Sequence, residues 1–358
     1  MLRFILTWFF VSRIILTAIG MISYAIIRPE HYVWHESDFL FLDIWGVWDS
    51  GWYIEISNNW YPAVANEFHE QYSFFPLYPG LMKLLGFVTG NNFAAGIIIS
   101  NACLIITAVY LFRLVRMTAG EQTAFRAVKF LFLFPVAFIL SGVFTESLYL
   151  MLIVMSFYYA KKQNWMLAGI FGFFLSLTRA VGICIIIPLV YEYIRSKNFS
   201  IKKMKADVLF LAFIPAGLAV FCLHLHYLTG DFLKFAHNTS GWEGQAGNII
   251  THVFSNLFSL HPQTMFLAWY SLLVIIFPVV FFRKTETSQW MIILYSVLIP
   301  LSFGLMSMPR MSLAVFPFFI LLAKITENKI SNRVLTVILA AAQAVLSVFW
   351  FNGFDLII

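Results

Sequence analysis

Apolar runs of about 20 residues recur along this 358-residue chain, each long enough to cross the hydrocarbon core of a bilayer. Backbone N–H and C=O groups placed in lipid must all be satisfied within the protein, so the choice of fold narrows sharply. The charge content agrees: 11% of residues are charged, against about 25% in an ordinary soluble domain. The chain reads as a single all-α polytopic membrane protein spanning residues 1–358, with no internal repeat, low-complexity tract or second domain. The apolar pattern predicts about eleven transmembrane helices, at 5–27, 91–112, 128–141, 146–160, 165–178, 182–194, 206–228, 264–282, 289–307, 311–324 and 334–352. The first run lacks a small-residue cleavage site and reads as a span rather than a signal peptide.

The charges orient these segments. With a cytoplasmic amino terminus, alternation puts most of the 23 Lys and Arg residues in cytoplasmic loops, including Arg113, Arg116, Lys161, Lys162, Arg195 to Lys205, Arg283 and Lys284. Only Arg28, Lys83, Arg179, Lys234 and Arg310 fall outside, and Arg13 lies within the first span. The run 165–194 has basic residues at both flanks, which two short helices reversing near Arg179-Ala180-Val181-Gly182 would keep on one side. The net charge of +6 is explained by these loops and does not indicate a nucleic-acid partner. Cys103, Cys184 and Cys222 are dispersed within apolar runs, a pattern of buried thiols rather than of disulfides or metal ligands.

This orientation gives the outer face one long loop, 28–90, and a second of moderate length, 229–263. The first is rich in acids and interleaved with aromatic residues, as expected of helices lying in the membrane interface. The cytoplasmic loops are short and carry neither a Walker A loop nor a GxGxxG turn, so any chemistry is extracytoplasmic and independent of soluble nucleotide.

Within the first loop, Trp48-Asp49-Ser50-Gly51-Trp52-Tyr53 sets a carboxylate among aromatic rings. On a helix Asp49, Trp52, Tyr53 and Ile56 share a face and Glu55 points away. Asp49 could act as a general base toward a hydroxyl, or simply cap the helix that follows. Phe74-Phe75-Pro76-Leu77-Tyr78-Pro79 follows, with Lys83 one turn on as either a snorkelling anchor or a phosphate contact. Phe144-Thr145-Glu146-Ser147 opens a span from outside; Thr145 or Ser147 could cap it, and Glu146 could be a second acid facing substrate hydroxyls.

Two arginines stand out. Arg179, in Thr178-Arg179-Ala180-Val181-Gly182, interrupts an apolar run, where a charge costs at least about 2.5–3.5 kcal/mol and is normally paired or set beside a cavity. Arg310, in Pro309-Arg310-Met311-Ser312, is similarly placed. Each guanidinium could grip phosphate oxygens or form a structural ion pair, for instance Arg179 with Glu146. The second loop, Thr229-Gly230-Asp231-Phe232 onward, offers Asp231, Lys234, His237 and Trp242, residue types common in sugar and phosphate recognition. His224 and His226 lie about 200° apart on a helix, too far round to chelate one ion.

Taken in order, Trp48 to Tyr53, Phe74 to Pro79, Phe144-Thr145-Glu146-Ser147-Leu148, Leu177 to Gly182 and Thr229 to Phe232 resemble the GPI mannosyltransferase II (PIG-V) family and its prokaryotic relatives, within the GT-C class of integral-membrane glycosyltransferases. The resemblance spans nearly the whole chain and rests on the ordered set. It implies a GT-C fold and a polyprenyl-phosphate-linked sugar, mannose or a similar one, as donor. It also implies that Asp49 is the essential carboxylate of the first outer loop, with Glu146, Arg179 and Arg310 around the same cavity. The chain is shorter than eukaryotic PIG-V proteins, and Met311 follows Arg310 where an aromatic residue is expected. Both departures favour a prokaryotic plasma-membrane enzyme with an acceptor other than a GPI precursor.

The expectation is therefore an inverting glycosyltransferase acting on a glycan or glycolipid acceptor, with Asp49 as base. Arg179, Arg310 or Lys83 would bind the donor phosphate. Glu146, Trp48, Trp52, Tyr53, Tyr78, Asp231, His237 and Trp242 would contact substrate. No cofactor is expected; a divalent metal is compatible with the class, but the sequence offers no ligand set. The rival is a flippase for a lipid-linked saccharide, which would also carry intramembrane arginines and broken helices.

Overall fold

The computed structural model describes residues 1–28, 35–63, 70–239 and 247–356, and every regular element among them is a helix. Five helices are long and apolar enough to cross a membrane: Leu2–Ile27, Asn92–Ala119, Ala206–Thr229, Pro262–Val280 and Lys329–Phe351. They coincide with the predicted spans 5–27, 91–112, 206–228, 264–282 and 334–352.

The other six predicted crossings are built differently. The segment 128–141 is the helix Glu121–Leu133 and a 3₁₀ turn, Ala137–Ser141. The segment 311–324 divides between Met308–Ser312 and Pro317–Ile325. Glu146–Lys161, Trp165–Ser176, Ile186–Ser196 and Thr287–Phe303 account for the rest. These are shorter than the five above, so of the eleven expected crossings, several of them short, five are helices long and apolar enough to cross a membrane among the described residues. Apolar length is what hydropathy measures, and it does not register the breaks near Pro135 and Pro317 inside the predicted spans 128–141 and 311–324. The broken backbone is enclosed by protein: Phe130, Phe132, Val136, Phe138 and Leu140 are all fully buried.

The run 165–194 does reverse. Arg179 is extended (φ −160°, ψ 147°), and Gly182 donates its N–H to the Arg179 carbonyl at 2.9 Å. A Cβ on Gly182 would lie 2.5 Å from the Leu175 carbonyl oxygen, so glycine permits the close return. Trp165 and Tyr193, at opposite ends of the segment, meet with ring centroids 4.8 Å apart.

The loops that alternation assigns to one side meet one another. Lys161 pairs with Glu192 at 2.8 Å and Glu286 at 2.6 Å, and Lys129 donates to Thr336 at 2.8 Å. Loops assigned to the other side meet around residues 49, 146, 179 and 310.

The break at 134–141 needs partners for its carbonyls, and two spans distant in sequence supply them. Gln343 Nε2 donates to the carbonyls of Phe132 and Phe134, both at 3.0 Å. Arg13 Nη1 donates to the Ala137 carbonyl at 3.2 Å and to Ser141 Oγ at 2.7 Å. Arg13, the cation inside the first span, thus serves the helix break. Gln343→Leu should strand the buried Phe132 carbonyl, while that of Phe134 keeps the Ala137 N–H at 2.9 Å, and destabilise the protein by about 1–3 kcal/mol. Thermal unfolding in detergent will show a lowered midpoint if this account is right, and an unchanged one if it is not.

Candidate active site

The chain turns sharply before Asp49. Trp48 has φ +60°, a left-handed conformation that costs a bulky residue about 1–2 kcal/mol. Its indole Nε1 donates to the Trp350 carbonyl at 3.1 Å and holds the turn. Asp49 then opens the helix Ser50–Asn59, but its side chain makes no cap hydrogen bond. Its backbone carbonyl accepts from Trp52 and Tyr53, while the carboxylate accepts from Arg310 Nη1 instead. The side chain therefore does not cap the helix that follows.

Arg310 lies on Met308–Ser312 and is buried, with its guanidinium 4.9 Å from the Phe144 ring centroid. Its Nε donates to Glu146 Oε1, the same oxygen that accepts from Arg179 Nη2. Glu146 begins the helix Glu146–Lys161 with a side chain 1% exposed, and its Oε2 has no hydrogen-bond partner. One carboxylate oxygen therefore holds two guanidinium groups together. Arg179 is further fixed by Nε, which donates to Thr145 Oγ1 at 3.1 Å, and its Nη1 faces the Met311 sulfur at 3.2 Å. Thr145 Oγ1 also meets the Tyr53 hydroxyl at 3.2 Å. Tyr53 stands one helical turn beyond Asp49, so the chain of contacts Asp49–Arg310–Glu146–Arg179–Thr145–Tyr53 returns to the helix on which it began. Burial pushes the Tyr53 hydroxyl above its usual pKa against the pull of the two arginines, which keeps it a neutral partner.

This cluster forms one wall of a cavity of about 390 Å³. Arg179, Arg310, Met311, Thr178 and Tyr53 line that wall; Phe74, Phe75, Phe235, Ile299, Pro300 and Phe303 line the remainder. The space therefore pairs two cations with aromatic and aliphatic surfaces, the arrangement of a site that orients an anionic, partly apolar ligand. Asp49 is not among the lining residues; it is bound to Arg310 and keeps 21% of its side chain exposed. A polar cavity of about 670 Å³ beside His35, Asp43 and Asn91 contains none of these four charged residues.

Other expected site residues lie elsewhere. Tyr78 is fully buried and bonded to the Gly96 carbonyl at 3.0 Å and Ser100 Oγ at 2.7 Å, which makes it part of the core rather than of the cavity wall. Lys83, on the helix Leu77–Thr89, has no ion pair among the described residues and is absent from the cavity wall. Trp48 is committed to Trp350, and Trp52 stacks on Phe74 at 6.2 Å. Glu146, expected to face substrate hydroxyls, is 1% exposed and paired with both arginines. Asp231 and His237 pair at 2.7 Å, and the hydrogen bond from His237 holds the Asp231 carboxyl below its usual range. Their loop contributes Phe235 and Ala236 to the cavity. Trp242 lies outside the described residues.

Thr145 and Met311 are site residues that the sequence does not single out for this role. His224 accepts from Trp60 Nε1 at 3.1 Å and His226 stacks on Phe232 at 3.9 Å, so the two histidines serve separate contacts. Among the described residues no group of three or more His, Cys, Asp or Glu side chains is arranged to hold a metal ion.

No protein-family model matches the chain, and neither does any curated protein. Among solved structures it is similar to the oligosaccharyltransferase of Archaeoglobus fulgidus. The structure with zinc and sulfate is 14% identical with a TM-score of 0.45, covering 95% of this chain and 53% of that one. The enzyme tethered to an acceptor peptide is 13% identical with a TM-score of 0.45, covering 98% and 55%. The archaeal oligosaccharyltransferase AglB with an inhibitory peptide and a dolichol-phosphate is 12% identical with a TM-score of 0.47, covering 98% and 56%. The chain thus spans just over half the length of those it matches.

Proposed function

We propose that this protein is a membrane glycosyltransferase of the GT-C type that moves a sugar, mannose or a close relative, from a polyprenyl-phosphate donor to a hydroxyl on an extracytoplasmic glycan or glycolipid. The observation that carries the reading is that Arg179 and Arg310 line one wall of a largely apolar cavity among apolar helices, with the Asp49 carboxylate bound to Arg310. A donor of this kind has one phosphodiester charge between a polar sugar and an apolar chain, and the cavity offers a matching surface to each part. The charge pattern of the loops supports placing residues 28–90 and 229–263 outside and 195–205 in the cytoplasm of a cell with the protein in its plasma membrane.

In this reaction the acceptor oxygen attacks the anomeric carbon and its proton passes to Asp49. The bond from that carbon to the phosphate oxygen breaks, its electron pair stays with the phosphate, and the configuration inverts. Arg179 and Arg310 offset the charge that develops on the leaving polyprenyl phosphate. That anion is already stable, so no general acid is required.

The test uses the full chain in lipid vesicles with a polyprenyl-phosphate-mannose labelled in the sugar, and a nucleotide sugar as control. Label should leave the lipid and appear on added acceptor glycan, with the nucleotide sugar unused. Movement of intact labelled lipid between leaflets with no cleavage would replace the enzyme by a flippase.

A further inference from the structure

Arg310 is placed between two claims on its charge. Its Nη1 donates to Asp49, the base of the proposed reaction, and it also lines the cavity in which the donor phosphate would sit. Two guanidinium groups and two carboxylates, Asp49 and Glu146, make the cluster neutral as it stands. Glu146 is enclosed, and each arginine has one nitrogen on it. Asp49 is the more exposed carboxylate, at 21% against 1%, and among the described residues its side chain is bound by Arg310 alone. An anion arriving in the cavity meets Arg179 Nη1, engaged only by the thioether of Met311, a weak acceptor. It meets Arg310 already engaged by Asp49.

We infer that Arg310 is shared in alternation between the base and the donor, so that donor phosphate displaces Asp49 from the guanidinium and releases its carboxylate for the acceptor hydroxyl. The inference rests on the proposed donor class. In the resting protein Arg310 occupies the carboxylate that would take the acceptor proton. Once the phosphate holds Arg310 through its charge-assisted hydrogen bonds, the carboxylate is unmasked beside the reacting centre. Binding is then ordered, donor before acceptor. Turnover favours the exchange: as Asp49 takes a proton it loses its hold on Arg310, while the phosphate gains the electron pair of the broken bond and strengthens its own.

The consequence is that Asp49 weakens donor binding. Removing its charge should tighten affinity for a phosphate ligand even as it removes the base. The probe is farnesyl monophosphate, titrated into the full chain in detergent by calorimetry. Asp49→Asn should bind it at least about tenfold more tightly than the unaltered protein, a change of about 1.4 kcal/mol. Asp49→Ser should do the same if the asparagine variant fails to fold. In Asp49→Asn combined with Arg310→Gln the gain should vanish, because the shared group is gone. Equal or weaker binding by both single variants would overturn the alternation while leaving a phosphate site in place. If neither the unaltered protein nor the variants bind farnesyl phosphate, the donor reading fails and this inference with it.

Discussion

Replacing Asp49 by Asn is expected to lower sugar transfer by about 10²–10⁴-fold, the usual contribution of a general base, with the protein still folded. Asparagine keeps the size of the side chain and an oxygen that can accept from Arg310, so the contact that Asp49 makes in the structure is weakened rather than removed. What it loses is the capacity to take a proton. The measurement is the rate of label transfer from polyprenyl-phosphate-mannose at saturating donor, with thermal unfolding as the check on folding. A rate within about threefold of the unaltered enzyme would remove Asp49 from the base role, since general-base losses are far larger than that. The sign of the donor-affinity change distinguishes this from a general collapse of the site, because a disordered site loses both rate and affinity.

The second large effect is expected at Glu146. Truncation to alanine leaves Arg179 and Arg310 without the carboxylate oxygen that both now share, in surroundings where Glu146 itself is 2% exposed. Removing one partner from a buried ion pair typically costs about 3–5 kcal/mol, because the remaining charge is stranded. Glu146→Ala should therefore lower the unfolding midpoint markedly in detergent. Glu146→Gln, which keeps an acceptor oxygen, should lower it less. If the alanine variant melts with the unaltered protein, the two arginines have other partners and the site described above is wrong in its centre.

Much of this arrangement can be read in advance. The five long helices, the reversal near Arg179 and the distinctive character of residues 49, 146, 179 and 310 follow from apolar length, charge placement and the cost of a cation in an apolar run. The connections among those residues do not follow. Arg310 and Asp49 are 261 positions apart, and Arg310 and Glu146 are 164 apart, so only tertiary packing shows which acid meets which base. The sequence allows Arg179 either a structural pairing with Glu146 or a ligand role, and the geometry gives it the pairing together with a place on the cavity wall. Tyr78 illustrates the converse. Its aromatic, proline-rich surroundings look like a recognition surface, yet its hydroxyl is spent on the helix Asn92–Ala119. Hydropathy also does not mark where a helix breaks inside an apolar run, so 128–141 and 311–324 each read as one segment where the chain forms two.

The partners of the helix break carry a consequence for biogenesis. Gln343 reaches back 211 positions to Phe132, Trp350 accepts from Trp48, and Asn352 donates to Ser23 at 2.9 Å. A chain that leaves the ribosome amino end first inserts residues 1 to 320 before these partners exist. Until Lys329–Phe351 arrives, the Phe132 carbonyl lacks its donor, that of Phe134 lacks the second of its two, and the turn before Asp49 lacks its anchor. Insertion of that helix thus closes the interior and sets the Asp49 carboxylate in one step. Nascent chains stalled before it would leave polar backbone short of partners, which is costly wherever water is excluded, and the turn before Asp49 unanchored.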